Sequence, residues 1–218
     1  MKHLLTVRYP HDKNCYQKNL SYPVRQEYGL FTLHDAIACQ ICKSHFVEKI
    51  NCTSAVLTIH ANNPVDVLCF ERFISQFDGT SAEIKDRCDY LLYDHDAQKQ
   101  KIAFCELTCS ESKYLEPNAS NKQPEGKRAK AYSQMKTSLE ALLTVSMLCV
   151  HILTRPKKYA IFGWRERNVQ FPMDQAATSM KEFTITPSSA SNVLYSDVFV
   201  MGHGFTFAQI KYPTVYEW

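Results

Sequence analysis

Two short apolar stretches flank a polar connection: residues 88–94 read Cys-Asp-Tyr-Leu-Leu-Tyr-Asp, and residues 102–108 read Ile-Ala-Phe-Cys-Glu-Leu-Thr. Each has the length and apolar content of a buried strand, so the pattern predicts a hairpin whose connection is the polar run 94–101. On the second strand a period of two puts Ile102, Phe104, Glu106 and Thr108 on one face and Ala103, Cys105 and Leu107 on the other. Folding the hairpin brings Asp89, at the start of one strand, near Glu106, at the end of the other. Two carboxylates at the edge of an apolar sheet are costly to desolvate unless a cation or hydrogen bonds compensate, which makes the pair a candidate divalent-metal site.

A strand bearing Asp, then a strand bearing Glu-x-Lys, then a helix, resembles the PD-(D/E)xK nuclease superfamily. The matching residues are Asp89 and Glu106-Leu107-Thr108, with Thr108 where the pattern has lysine. The resemblance covers roughly residues 65–165. It implies an α/β fold with a central mixed sheet flanked by helices, a restriction-endonuclease-like core, and metal-dependent hydrolysis of phosphodiesters in nucleic acid. It further implies Mg²⁺ or Mn²⁺ held by Glu71, Asp89 and Glu106. Lys127 or Lys130 would stand in for the displaced lysine, Thr108 would orient a water, and Gln134 would match a glutamine often seen on the helix. Without a cation near the phosphoryl transition state, the rate would fall by the equivalent of several kcal/mol. The alternative within the same resemblance is a scaffold that no longer cleaves and serves as a binding subunit of a larger complex; such folds occur in bacterial defence and mobile-element assemblies. A plainer alternative also stands, in which Asp89 hydrogen-bonds near a strand start and Glu106 pairs with a lysine in an ordinary fold.

The rest of the chain surrounds that core. At 218 residues and 45% apolar content it is expected to form one domain, with residues 1–64 and 166–218 elaborating the core. Residues 4–9 read as an edge strand, a helix is expected from His34 or Asp35, and residues 55–60 alternate as a strand. Asn62-Asn63-Pro64 reads as a break. Val67, Phe70, Ile74 and Phe77 then recur at three and four residues, predicting a helix over 65–77 that carries Glu71 on its apolar stripe and stops at Asp78-Gly79. Residues 110–126 are polar and read as a loop. One long helix is predicted over 127–153, its buried stripe running through Met135, Leu139, Leu142, Leu143, Ser146, Cys149, Val150 and Leu153. A separate polar face of that helix carries Lys127, Ala131, Gln134 and Ser138. Strands are expected at 159–163, 198–200 and 205–207, the last two around a turn at Met201-Gly202-His203-Gly204.

Several other classes are set aside. No Gly-x-Ser-x-Gly, Walker loop or dinucleotide fingerprint occurs. Cys39-Gln40-Ile41-Cys42 with His45 and Cys52 could be read as a zinc site, but His45 and Cys52 fit no common spacing, a second Cys-x-x-Cys is absent, and helical periodicity explains Cys42 and His45 as core-facing. The nine cysteines, with no export signal, are read as reduced. No window has the roughly 18 apolar residues of a membrane span, so a cytoplasmic protein without membrane contact is expected. Basic clusters at Lys122, Lys127, Arg128 and Lys130, at Arg155, Lys157 and Lys158, and at Arg165 and Arg167 allow nucleic-acid contact, the first beside the acids. Tyr212, Tyr216 and Trp218 suit a protein partner or a second copy if exposed, and the core if not.

Overall fold

A computed structural model of the protein describes residues 1–15, 22–34, 55–77, 84–96, 100–120, 124–166, 193–196 and 201–218. The expected helix from His34 or Asp35, the cysteines and histidine of 39–52, the stop at Asp78-Gly79 and the strand 198–200 lie outside these residues, except that His34 itself ends a strand. The strands are β1 (Val24–His34), β2 (Ala55–Cys69), β3 (Tyr90–Asp94), β4 (Lys101–Ser110), β5 (Lys157–Glu166), β6 (Val193–Ser196), β7 (Thr206–Lys211) and β8 (Val215–Glu217). They form one mixed open sheet in the order β1-β2-β3-β4-β5-β7-β6, with β8 joined in parallel to β2. The β2, β3 and β4 neighbours are antiparallel, whereas β4-β5 and β5-β7 are parallel. The chain is therefore α/β.

The helices are α1 (Tyr9–Asp12), preceded by a π-helical turn at Leu4–Arg8, then α2 (Phe70–Ile74), α3 (Gly126–Leu143) and α4 (Ser146–Leu153). They cover one face of the sheet, where Leu91, Ile102, Phe104 and Phe162 meet Phe73, Met135, Leu139 and Leu148. The other face is covered by the sheet itself. Beyond a bulge, where the β1 pairing steps from Glu27↔Val65 to Gly29↔Ala61, β2 folds over, and Leu57 and Ile59 pack with Leu107 and Ile161. Gly163 permits this close approach, since a Cβ there would lie 2.8 Å from Leu107 and 3.1 Å from Leu57. Pro64 sits in the bulge, where its missing N–H costs no ladder bond, and its carbonyl accepts the His95 N–H at 3.1 Å.

Four sequence expectations need correction. Residues 4–9 are helical rather than a strand, because Leu5 and Tyr9, one turn apart, are both fully buried, with Tyr9 against Phe73 and Phe77. Asn62-Asn63-Pro64 does not end the strand, which bulges and continues to Cys69. The helix expected over 65–77 begins only at Phe70. Residues 65–69 form a strand buried on both faces, with Val65, Val67 and Cys69 inward on one and Leu68 on the other, so its continuous apolar run imitates a helical stripe. Finally, the helix 127–153 is two helices. Val145 is extended and buried between them, and the change of phase buries Leu148 and Ile152 while leaving Val150 at 64% exposure. Gly126 starts α3 at φ +80°, with the backbone of Leu115 and Glu116 so close that a Cβ would lie at 2.6 Å.

Candidate metal and nucleic-acid site

The β3-β4 ladder ends at Tyr90↔Cys105. At the next pair, side chains take over from backbone. The Asp89 N–H donates to Glu106 Oε2 at 3.2 Å, and the Leu107 N–H donates to Asp89 Oδ2 at 2.8 Å. The two acids are thus side by side on the helix-covered face, each half-buried, above fully buried Phe104. Their juxtaposition follows from the alternation and register of two short apolar strands.

Three further elements fasten the segment that carries Asp89. The first N–H groups of α2 donate to the Asp89 carbonyl, Phe70 at 2.8 Å and Glu71 at 3.4 Å, which satisfies helix-end donors that lack intrahelical partners. From α3, Gln134 Nε2 donates to the Arg87 carbonyl at 3.0 Å. One turn on, Ser138 accepts the Cys88 N–H at 2.9 Å and donates to the Gln134 carbonyl at 2.8 Å. Two residues of the polar face read on this helix, Gln134 and Ser138, therefore hold the segment 87–88 that leads into Asp89.

Glu71 lies in the first turn of α2 and its Oε1 is 3.9 Å from Arg87 Nη2. Among the described residues no group of three or more His, Cys, Asp or Glu is arranged to hold a metal ion. Asp89 and Glu106 come together as expected, whereas the third acid sits beside a guanidinium. Thr108 is half-buried one pair beyond Glu106, opposite Trp164 of β5. Lys127 and Lys130 are half-exposed on the first turns of α3. A rise of about 1.5 Å per residue puts Lys130 about 6 Å and Lys127 about 10 Å along the axis from Gln134.

The remaining candidates separate clearly. Burial holds the Cys88 and Cys105 thiols well above their ordinary range, and the Asp89 and Glu106 charges add to the effect; burial also pushes Cys69 up to about 12. All three stay protonated, so none is a nucleophile at neutral pH. Arg155, read as part of a basic cluster, is interior: its Nη1 donates to the Lys101 carbonyl at 2.8 Å and its Nη2 to His151 Nε2 at 3.0 Å. Lys158 donates to the Leu153 carbonyl at the end of α4. Tyr216 is core, packed against Tyr159. Gly202, His203 and Gly204 all have positive φ, in keeping with a turn there. Arg87 was not foreseen, because it stands in a connection with no periodicity. Lys211 was not foreseen either, because only the parallel register of β7 brings it level with Trp164.

Among the described residues no helix is long and apolar enough to cross a membrane. No protein family, curated protein or solved structure matches the chain.

Proposed function

We propose that the protein is a metal-dependent nuclease of the PD-(D/E)xK type. The observation that carries this reading is the half-buried Asp89–Glu106 carboxylate pair at the open end of the β3-β4 hairpin. The strand order β2-β3-β4-β5, antiparallel up to β4 and then parallel through a helical crossover, supports a restriction-endonuclease-like core. Two adjacent carboxylates also fit the way Mg²⁺ is held, through one or two carboxylates with water and substrate phosphate completing the octahedron. A bound Mg²⁺ or Mn²⁺ would supply Lewis acidity toward the phosphate and a more acidic water.

The chain's own residues have distinct parts in this reading. Asp89 and Glu106 supply the oxygens and are held in register by each other's strand. Thr108, on the same face as Glu106, would hydrogen-bond a water beside them. Gln134 and Ser138 position the segment 87–89, and Lys130 or Lys127 would answer the negative charge of the phosphoryl group. Glu71 acts through Arg87 and the Asp89 carbonyl unless metal binding draws it inward.

The second reading, a nuclease-like scaffold that binds without cleaving, is favoured by two observations: Glu71 faces Arg87, and Thr108 brings no charge. Cleavage of single- and double-stranded DNA and RNA with Mg²⁺ or Mn²⁺ separates the two. Activity that disappears in both Asp89→Asn and Glu106→Gln supports the enzyme. Absence of cleavage in the wild type, with no metal-induced rise in thermal stability, supports the scaffold.

A further inference from the structure

Beyond Thr108, four segments are tied together by three hydrogen bonds, each donated by a backbone N–H. The Ser112 N–H donates to Glu166 Oε1 at 2.8 Å, the Tyr212 N–H to the Trp164 carbonyl at 2.8 Å, and the Arg128 N–H to the Leu115 carbonyl at 3.2 Å. The end of β4, the ends of β5 and β7, and the start of α3 thereby share one rim.

Three cation–ring pairs stand on that rim. Lys113 Nζ lies 5.0 Å from the Tyr114 ring centroid, the Arg165 guanidinium 4.8 Å from Tyr212, and Lys211 Nζ 4.8 Å from Trp164. Lys113, Tyr114 and Lys211 are exposed, Arg165 and Tyr212 are half-buried, and Trp164 is buried beneath Lys211. Glu111 lies 2.6 Å from Lys113, and Glu166 lies 3.9 Å from Lys211, so two of the cations are held in place. With Lys127, Arg128 and Lys130 of α3, six cations stand against the carboxylates of Glu111, Glu116, Glu125 and Glu166, leaving a positive balance beside the acidic pair.

We propose that this rim binds single-stranded nucleic acid, with Tyr114 and Tyr212 stacking on bases and Lys113, Arg165 and Lys211 meeting backbone phosphates. The inference rests on the nuclease reading for its choice of nucleic acid as ligand and adds the strandedness of the substrate. Rings offer a surface to any unpaired base, whereas a duplex exposes only base edges and phosphates. Among the described residues the exposed ring of the rim, Tyr114, is carried by a three-residue 3₁₀ turn, Ser112–Tyr114, which is too short to lie along a groove.

The test is fluorescence anisotropy with labelled dT12, rU12 and a 12-base-pair duplex, using the full chain in EDTA so that binding is read without cleavage. The wild type is expected to bind dT12 or rU12 at least tenfold more tightly than the duplex. Tyr114→Ala is expected to weaken that binding about tenfold with little effect of salt, in line with base stacking. Lys113→Ala combined with Lys211→Ala is expected to flatten the dependence of log K on log salt by about 1.4, two contacts at roughly 0.7 each. Equal or tighter duplex binding, no binding of either single strand, or variants within twofold of the wild type would each overturn the proposal. Cleavage is scored separately on the same oligonucleotides with Mg²⁺. Cleavage that persists while the rim variants bind normally defeats the rim and leaves the nuclease, whereas rim-dependent binding without cleavage does the reverse.

Discussion

The β3-β4 hairpin carries an acid at each end, and the protein treats the two ends in opposite ways. At the closed end Asp94 is 7% exposed, and both of its oxygens are committed: Oδ1 accepts the Trp218 indole N–H and Oδ2 the Lys101 N–H, each at 2.7 Å. The Arg155 guanidinium, itself buried, balances its charge, and the Lys101 ammonium lies 4.9 Å from the Trp218 ring centroid. At the open end two carboxylates stand together, both half-buried, and the neighbouring guanidinium of Arg87 is turned toward Glu71. A buried carboxylate with two strong donors and a buried counter-charge is a structural fastener. Two adjacent carboxylates at the open end repel each other in the folded chain, and a divalent cation would relieve that repulsion.

The largest effect expected from this contrast is on stability. Asp94→Asn leaves one of the two donors facing an amide N–H and removes the charge that balances Arg155. A loss of about 3 kcal/mol is expected, read as a fall of roughly 10 °C in Tm. Asp89→Asn and Glu106→Gln keep an oxygen acceptor for each backbone N–H and relieve like-charge repulsion, so each is expected to stay within about 1 kcal/mol of the wild type. Equal losses at both ends in thermal unfolding would make Asp89 and Glu106 fasteners as well, and the site reading would fail.

Next in size is Ser138, which is fully buried and bridges α3 to the Asp89 segment. Ser138→Ala leaves the Cys88 N–H without this acceptor and is expected to cost about 1–2 kcal/mol in chemical denaturation. In the nuclease reading it also lowers kcat, because the segment bearing Asp89 loses one of its anchors. Loss of stability without any change in kcat would show that α3 only packs there.

A smaller shift is expected from metal. If Asp89 and Glu106 hold Mg²⁺, saturating the ion at about ten times its Kd stabilises the folded chain by about 1.4 kcal/mol, or several degrees in Tm. Asp94→Asn should retain that increment and Glu106→Gln should lose it. An increment unchanged in Glu106→Gln would assign the binding to other residues.

How far these differences can be read from sequence depends on which residues carry them. The hairpin was legible because both strands are short apolar runs around a polar connection, which was enough to bring Asp89 near Glu106, whereas their shared face depends also on the register Tyr90↔Cys105. The place of Glu71 was not, because it hinged on whether residues 65–69 continue a helix, and a strand buried on both faces gives the same apolar string. The edge strand β1 was hidden by its one-sided burial, with the apolar Tyr28 and Leu30 exposed at 69% and 63%. The closure of the Asp94 end depends on β8, a three-residue strand that reaches β2 in parallel from the far end of the chain, and no local pattern announces such pairing.

The weakest lever on the comparison is pH, and it acts through the group behind Arg155. His151 Nε2 must accept from Arg155, because a guanidinium can only donate, so the folded state holds this imidazole neutral. Burial, then the Arg155 charge, lowers the His151 pKa from 6.5 to about 4. A folded-state pKa below the unfolded value means that the unfolded chain binds more protons between those limits. The stability tied to neutral His151 is therefore fully present above pH 6.5, declines as pH falls toward 4, and changes no further below that. His151→Gln keeps an acceptor for Arg155 that does not titrate. Its Tm is expected to fall less than that of the wild type between pH 7 and pH 4.5, and the comparison cancels the carboxylates that both proteins share. Parallel pH profiles would mean that His151 takes up its proton as readily in the folded chain as in the unfolded one, and Arg155 would then need a different partner at low pH to hold the closed end of the hairpin.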